Sequence, residues 1–470
     1  MNKTRELTKN TIILGIGQFV PKVFAMITLP ILTGAFSTSS YGQYDLISSF
    51  TALFLPISTL LIQQAAFRFL LESNTDKERK NYISTSVVFV FSLSMILALI
   101  VIIGGFLFGL DIGLVFSALA LYVAEAVLDL FGQIARGLGS NEWYSLSAIV
   151  CSVIYMILIG FIVAFGLVNV YVALLVGAVA YIGSAVILAF RLKMFKYMRL
   201  KYFTWQCLKK MLRYSVPIIP SSISLWVVNL SDRIIVTWRL GSAFNGIYAA
   251  ACKIPNVFGA MYGVFNLAWT ELAARSIKEK NVSRYYSKLF DGLYTFMVGA
   301  LLMIVPISSM LYDSLVDSKF IEGYAQLFIL YVGIILSCLV AFYGGLYVAL
   351  KKTKQVGISS LVGAVLNIIF NIFMIDSIGL YAASVSTVVS FLAICIYRAV
   401  QIRRYIALEY SLKNISVGVA FIGVAGWVFY MDNGVMNVFL ATLAIVYNFK
   451  YNMVLIQVWH KINNIRLKLR

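Results

Sequence analysis

Blocks of about 20 consecutive apolar residues recur almost without pause along this chain, as in "VVFVFSLSMILALIVIIGGFLFGL" at 87–110. A helix of that length crosses the roughly 30 Å hydrocarbon core of a bilayer, where only helices and closed barrels satisfy every backbone group. The runs are continuous rather than alternating, which excludes barrel strands. With 61% hydrophobic and 12% charged residues, the composition is not that of a soluble globule. The chain therefore reads as an all-α integral membrane protein. About fourteen transmembrane helices are predicted, at 12–36, 43–67, 82–108, 112–135, 144–165, 169–190, 214–238, 244–272, 289–311, 324–350, 355–375, 379–397, 414–430 and 434–449. Lys3, Arg5 and Lys9 precede the first run as in a signal peptide, but the run is long and lacks a convincing cleavage site, so it is expected to stay as the first helix.

A net charge of +19 would suggest nucleic acid in a soluble protein. Here 33 of the 38 Lys and Arg fall at the termini, their flanks and alternate loops, with eight of them in 191–213. The opposite loops hold Arg239 and Lys319. This asymmetry places both termini on the cytoplasmic side and leaves no aromatic-interleaved basic domain, so nucleic acid is not an expected partner. The five cysteines are scattered without a metal spacing, and the lone His460 lies in the basic tail, so no metal site is expected.

The basic segment 191–213 divides the chain into six helices before it and eight after. Two echoes suggest duplication. "SSYGQYDLI" (39–47) resembles "AFNGIYAAA" (243–251) at an offset of 204, and the stretch from 146 resembles that from 359 at an offset of 213. Two six-helix units in tandem share an orientation and enclose a cleft between them. The expected organisation is a six-helix lobe at 1–190, a basic cytoplasmic linker at 191–213, a second lobe at 214–400, and two additional helices with a basic tail at 401–470.

An ionised side chain near the bilayer centre costs at least about 2.5–3.5 kcal/mol, so it faces protein or water. Lys22 lies roughly 15 Å into the first span and Lys253 about as deep in the eighth, while Arg233 is nearer the outer surface. Helical spacing puts Gln18 on the face of Lys22, Trp226 and Asn229 on that of Arg233, and Asn256 on that of Lys253. If these faces line the cleft, it is electropositive and suits a phosphate or other anion. The rival reading is that Arg233 pairs with Asp232 or another buried acid to tie helices together. Glu125 and Asp129, one turn apart in the fourth span, repel unless a proton or cation intervenes, which makes them candidates for H+ or Na+ coupling or for partners of Lys22. Asp45, Glu271 and Asp291 lie near span ends and read as interfacial, and Arg398 counts among the loop cations.

At "SDRIIVTWRLGSAFNGIYAAACKIP" (231–255) the sequence resembles the Wzx-type O-antigen and polysaccharide flippases of the multidrug/oligosaccharidyl-lipid/polysaccharide exporter superfamily. The resemblance rests on Asp232-Arg233 late in the seventh helix, Gly246 and Tyr248 after a short loop, and Lys253-Ile254-Pro255 in the eighth. The opening "TIILGIGQFVPKVFAMITLPILTGAFSTSSYGQYDL" is similar as well. The resemblance implies two lobes forming a V around a central cavity. It implies transport, in a bacterial inner membrane, of an undecaprenyl-diphosphate-linked oligosaccharide from the cytoplasmic to the periplasmic leaflet. Asp232, Arg233 and Lys253 match its cationic motif, with Asp232 orienting or releasing Arg233; Lys22 is added from its depth alone. Polysaccharide polymerase and chain-length machinery are candidate partners. No catalytic residue and no cofactor are expected, and no nucleotide-binding G-x-x-x-x-G-K-[ST] occurs. A multidrug or cation antiporter of the same superfamily would share the fold but line its cleft with acids. A peptidoglycan-precursor flippase is a further rival reading, and a membrane glycan polymerase a remoter one.

Overall fold

Seventeen helices account for most of the chain in a computed structural model that describes residues 3–277 and 282–452, apart from the side chains of 3–9, 11, 220, 221, 223–229, 267, 271, 275 and 353. His460 and Glu271 fall outside what is described. In order the helices are α1 (Lys3–Ala35), α2 (Thr38–Ser58), α3 (Ile62–Leu71), α4 (Asp76–Leu107), α5 (Ile112–Gly137), α6 (Asn141–Ala164) and α7 (Val170–Arg191). Then come α8 (Trp205–Ser215), α9 (Ile219–Leu240), α10 (Ser242–Ser276), α11 (Val282–Ile304), α12 (Ser308–Leu315), α13 (Leu327–Ala349), α14 (Thr353–Ile378), α15 (Tyr381–Ile402), α16 (Leu412–Met431) and α17 (Gly434–Tyr451).

Fourteen passes result among the described residues, since α3 continues α2, α12 continues α11, and α8 belongs to the central linker. Ten helical segments are long and apolar enough to cross a membrane, and the α2–α3 pair, bent by 58°, forms an eleventh. The bend has a local cause: Leu60 and Leu61 adopt left-handed backbone, breaking the helix without a glycine. Helices α9, α10 and α17 fall short of that apolarity, the first two as expected of segments carrying Asp232, Arg233, Lys253 and Asn256. Polar residues start the passes where the chain turns: Thr75 and Glu78 form a capping box on α4, and Asn169 caps α7. Exposed Met95, Leu99, Ile103 and Leu107 run down one side of α4, a surface suited to lipid.

Helices α1 and α2–α7 pack among themselves, as do α9, α10 and α13–α15, while α11, α16 and α17 form a group at the edge of the second bundle. The bundles meet along α1–α10, α2–α10 and α2–α9. The approach is closest at one end. A methyl group added at Gly42 would lie 1.8 Å from the Ser242 carbonyl oxygen, and one at Gly246 would lie 2.0 Å from that of Thr38. Only glycine permits this backbone approach. Asn245 Nδ2 donates to the Gly42 carbonyl at 2.8 Å, and the hydroxyls of Ser39 and Ser242 are 2.6 Å apart. The echo at offset 204 thus marks a reciprocal crossing of the two halves.

Further contacts join the bundles at this end. Lys319 Nζ donates to the carbonyls of Gly34 and Phe36 at the end of α1, at 3.0 and 3.1 Å, and Tyr41 meets Phe320 edge-on. One hydrophobic core is continuous from Leu29, Phe36 and Leu174 into the second bundle. At the linker end, the first bundle has a separate core around Ile62, Ile83, Leu130 and Met211. The halves are therefore fused where the loops 36–37 and 241 lie, while farther along α1 and α10 stay in contact, a methyl group added at Gly15 lying 2.5 Å from a methyl of Val264.

Candidate functional site

The crossing of α2 and α10 puts Asp45, less than one turn beyond Gly42, opposite α9 and α10. Arg233 Nε donates to Asp45 Oδ2 at 2.6 Å, and Lys253 Nζ donates to Asp45 Oδ1 at 3.4 Å. Asp45 is 4% exposed, which corrects its reading as an interfacial acid. It sits on the face of α2 shared with Tyr41 and Gly42, and that face is buried by the other bundle. Lys22, on α1, is exposed into the same space and near enough to Lys253 for the two to repel. Among the described residues no carboxylate pairs with Lys22. Arg233 and Lys253 thus share the Asp45 carboxylate, with Lys22 beside them.

Two chambers share Lys22, Ser49 and Arg233 in their walls. The larger, about 750 Å³, runs along the second bundle from Tyr248 past Asn256 and Gly259 to Thr270 and Arg398. The smaller, about 540 Å³, enters the first bundle among Tyr44, Glu125, Tyr155 and Tyr181 and also reaches Lys253. In that chamber the hydroxyls of Tyr44 and Tyr155 are 2.7 Å apart. Together they form a cleft between the bundles with Lys22, Arg233 and Lys253 in its walls.

Asp232 has a different place from the one expected. Its Oδ1 accepts from Asn371 Nδ2 at 3.0 Å and Ser386 Oγ at 3.3 Å, and its Oδ2 accepts from Thr387 Oγ1 at 2.6 Å and Tyr248 OH at 3.2 Å. These groups come from α10, α14 and α15, so Asp232 ties the second bundle together. Adjacent residues on a helix diverge by about 100°, which sends Asp232 into its own bundle and Arg233 toward α2. The residue that orients Arg233 here is Asp45.

Glu125 and Asp129 are half-buried on α5. Thr51 Oγ1 donates to Glu125 at 3.2 Å, and Gln63 Nε2 donates to Asp129 at 2.9 Å. Both acids line a third cavity of about 390 Å³, and Glu125 also faces the chamber that holds Lys22. The guanidinium of Arg136 stacks over Phe67 and Tyr144 and bonds Gln133. Among the described residues no group of three or more His, Cys, Asp or Glu could hold a metal ion.

Of the expected polar lining, Asn256 is in the larger chamber, while Gln18 is exposed on α1 with its side-chain oxygen near Gly263 of α10. The side chains of Trp226 and Asn229 lie outside the described residues. Arg398 corrects another expectation. Helix α15 runs on to Ile402, so Arg398 is not a loop cation but is 2% exposed. Its guanidinium donates to Ser359 Oγ, Ser360 Oγ and the carbonyls of Val340 and Val356. It clamps α13, α14 and α15 together at the end of the larger chamber.

The family described as polysaccharide biosynthesis protein matches residues 7–269. No curated protein matches the chain. Among solved structures, a lipid II flippase MurJ in an inward closed conformation aligns with a TM-score of 0.71 at 15% identity, covering 95% of this chain and 99% of that one. A multidrug resistance MATE family transporter in an inward-facing conformation aligns at 0.62 and 15% identity, over 82% and 98% of the two chains. A MOP superfamily transporter from Pyrococcus furiosus, described as having a binding pocket of reverse polarity, aligns at 0.58 and 14% identity, over 86% and 96%. These likenesses show that the chain shares the fold of those structures. With more than half of its length matched, the chain belongs to the polysaccharide biosynthesis protein family.

Proposed function

We propose that this protein is a flippase for a polyprenyl-diphosphate-linked oligosaccharide, carried from the cytoplasmic to the periplasmic leaflet of a bacterial inner membrane by alternating access. The observation that carries the reading is the clustering of Lys22, Arg233 and Lys253 in the walls of the cleft, where Asp45 pairs with two of them and Glu125 and Asp232 are the other acids lining the chambers among the described residues. A diphosphate is a natural counterion for such a site, because charge-assisted bonds to Lys and Arg strengthen away from bulk water. Moving a charged, hydroxylated head group through hydrocarbon without a lined path is prohibitive. The chambers, with Tyr44, Tyr155 and Tyr181 in one wall, offer that path to the sugars, while the prenyl tail stays in lipid.

In this reading Asp45 holds the cations until the diphosphate replaces it. The substrate then breaks the ion pairs between α2 and the helices α9 and α10, and the fused end is free to part. Positive-inside charge puts that end at the periplasmic face. Coupling to H+ or Na+ falls to the two acid sites, Glu125 with Asp129 in one bundle and Asp232 in the other. Beside Asp232 the buried Asn371 Oδ1 accepts no hydrogen bond among the described residues.

Replacing Lys22, Arg233 or Lys253 by Ala should reduce export of surface glycan with membrane abundance intact. Arg233→Ala also strands Asp45, so it is read beside Arg233→Ala/Asp45→Asn, which removes the buried pair together. Normal export by all four variants would overturn the proposal. An antiporter for cationic compounds is the competing reading, favoured only by Glu125 and Asp129. Extrusion of a cationic dye that survives Lys22→Ala and Lys253→Ala but not Glu125→Gln would support it instead.

A further inference from the structure

The segment between the bundles, 191–216, contains eight Lys and Arg and no acid. All eight side chains are exposed. So are Phe195, Leu200, Trp205 and Val216, so the surface is at once basic and greasy. A loop that merely obeyed the positive-inside rule would need the charges but not the exposed rings and aliphatic groups.

This segment is a ledge rather than a tether. Ser84 Oγ, near the start of α4, donates to the carbonyls of Tyr197 and Arg199 at 3.0 and 2.6 Å and accepts from the Arg199 amide. The Thr204 amide donates to Thr85 Oγ1, and Lys210 Nζ donates to Tyr82 OH. Helix α8 buries Cys207, Leu208, Met211 and Ser215 against the first bundle. Beside that buried face the helix carries a shallow groove of about 690 Å³ bounded by Trp205, Leu212 and Val216, with Leu208 at its floor and Lys209 and Arg213 on its edge. Among the described residues neither Lys209 nor Arg213 pairs with a carboxylate.

We propose that this ledge is a docking surface for anionic phospholipid, with the phosphate and headgroup on Lys209 and Arg213 and the upper acyl chain in the groove. Charge complementarity argues for the anionic lipid over a zwitterionic one, and the paired apolar groove argues for a lipid over a free anion. A basic amphipathic helix at the end of a bundle lies at headgroup level, where cations and Trp both favour the interface. The ledge is fastened to the first bundle and leads into α9 through the short turn at Val216–Ile218 and Pro220. Bound lipid would therefore hold the first bundle to the membrane surface while α9 and the second bundle swing about that turn.

The test is native mass spectrometry of the full-length protein in detergent micelles, titrated with phosphatidylglycerol or phosphatidylcholine. Phosphatidylglycerol should bind more tightly than phosphatidylcholine and lose affinity as ionic strength rises. Lys209→Gln/Arg213→Gln should weaken phosphatidylglycerol binding by roughly tenfold or more, whereas Lys209→Arg/Arg213→Lys should retain it. An unchanged melting temperature verifies that both variants are folded. Equal affinity for the two lipids, or an undiminished affinity in the Gln variant, overturns the proposal. So does displacement of the lipid by inorganic pyrophosphate at matched ionic strength, which would mark a free-anion site. None of these outcomes depends on transport, so the lipid ledge stands or falls separately from the flippase reading.

Discussion

Asp45 is a residue on which the cleft's charge turns, since it pairs with both Arg233 and Lys253. Leaving a buried charge without its partner costs about 3–5 kcal/mol. Asp45→Asn should therefore lower the melting temperature, and inorganic pyrophosphate should restore part of the loss by taking the carboxylate's place. A thermal-shift titration checks this, and a variant that gains nothing from pyrophosphate would refute anion replacement. Asp232 should behave otherwise. An Asn there would turn an amide toward Asn371 Nδ2 or the hydroxyl of Thr387, where the carboxylate now accepts, costing about 1–3 kcal/mol. Pyrophosphate should not rescue Asp232→Asn, because Asp232 ties helices of one bundle. Glu125→Gln should alter the pH or Na+ dependence of transport in proteoliposomes, and an unchanged profile would remove it from coupling. The depth of Lys22, Arg233 and Lys253 was legible from their position in apolar runs. That Arg233 pairs with Asp45 rather than with the neighbouring Asp232 was not, because helical geometry separates adjacent side chains while folding joins distant ones.

Between elements, the informative contact is the crossing of α2 and α10, where each glycine faces a carbonyl of the other helix. Gly42→Ala and Gly246→Ala would each place a carbon within 2.0 Å of a backbone oxygen, so neither helix can keep its present position. The expected result is a protein that folds but no longer closes at this end. Cysteines placed in the chamber should then react with a membrane-impermeant reagent from the periplasmic side in the variants and not in the wild type. Both glycines stood out in the sequence as echoes of one another at an offset of 204. Repetition implied that they occupy equivalent positions, but not that those positions touch. The bend after α2 was less visible still, since Leu60 and Leu61 enter left-handed backbone with residues that carry no turn signal.

For the whole molecule, the continuous core at the fused end holds the contacts that the proposed alternating access would have to break and re-form. Ser39 and Ser242 lie across that boundary with their hydroxyls 2.6 Å apart. A Ser39→Cys/Ser242→Cys pair should form a disulfide under mild oxidation, arrest glycan export, and recover it on reduction. Export that continues while the crosslink is intact would mean that this end need not open. The two outer cations that stand against the charge asymmetry have structural uses here. Lys319 caps the end of α1, and Arg239 lies 3.6 Å from Asp376.

The sequence by itself pointed to a membrane-spanning, all-helical chain of about fourteen helices, to echoes between its halves, and to cations lodged within apolar runs. These follow from hydrophobic length, charge asymmetry and periodicity, each a property of one segment. Only the tertiary structure decided that Asp45 answers Arg233 and Lys253, that Asp232 binds within its own bundle, that Arg398 is buried, and that the halves are fused at one end. Those are matters of which helices meet and at what rotation. A stripe of polar residues specifies the direction a helix must turn, but not the neighbour it finds there.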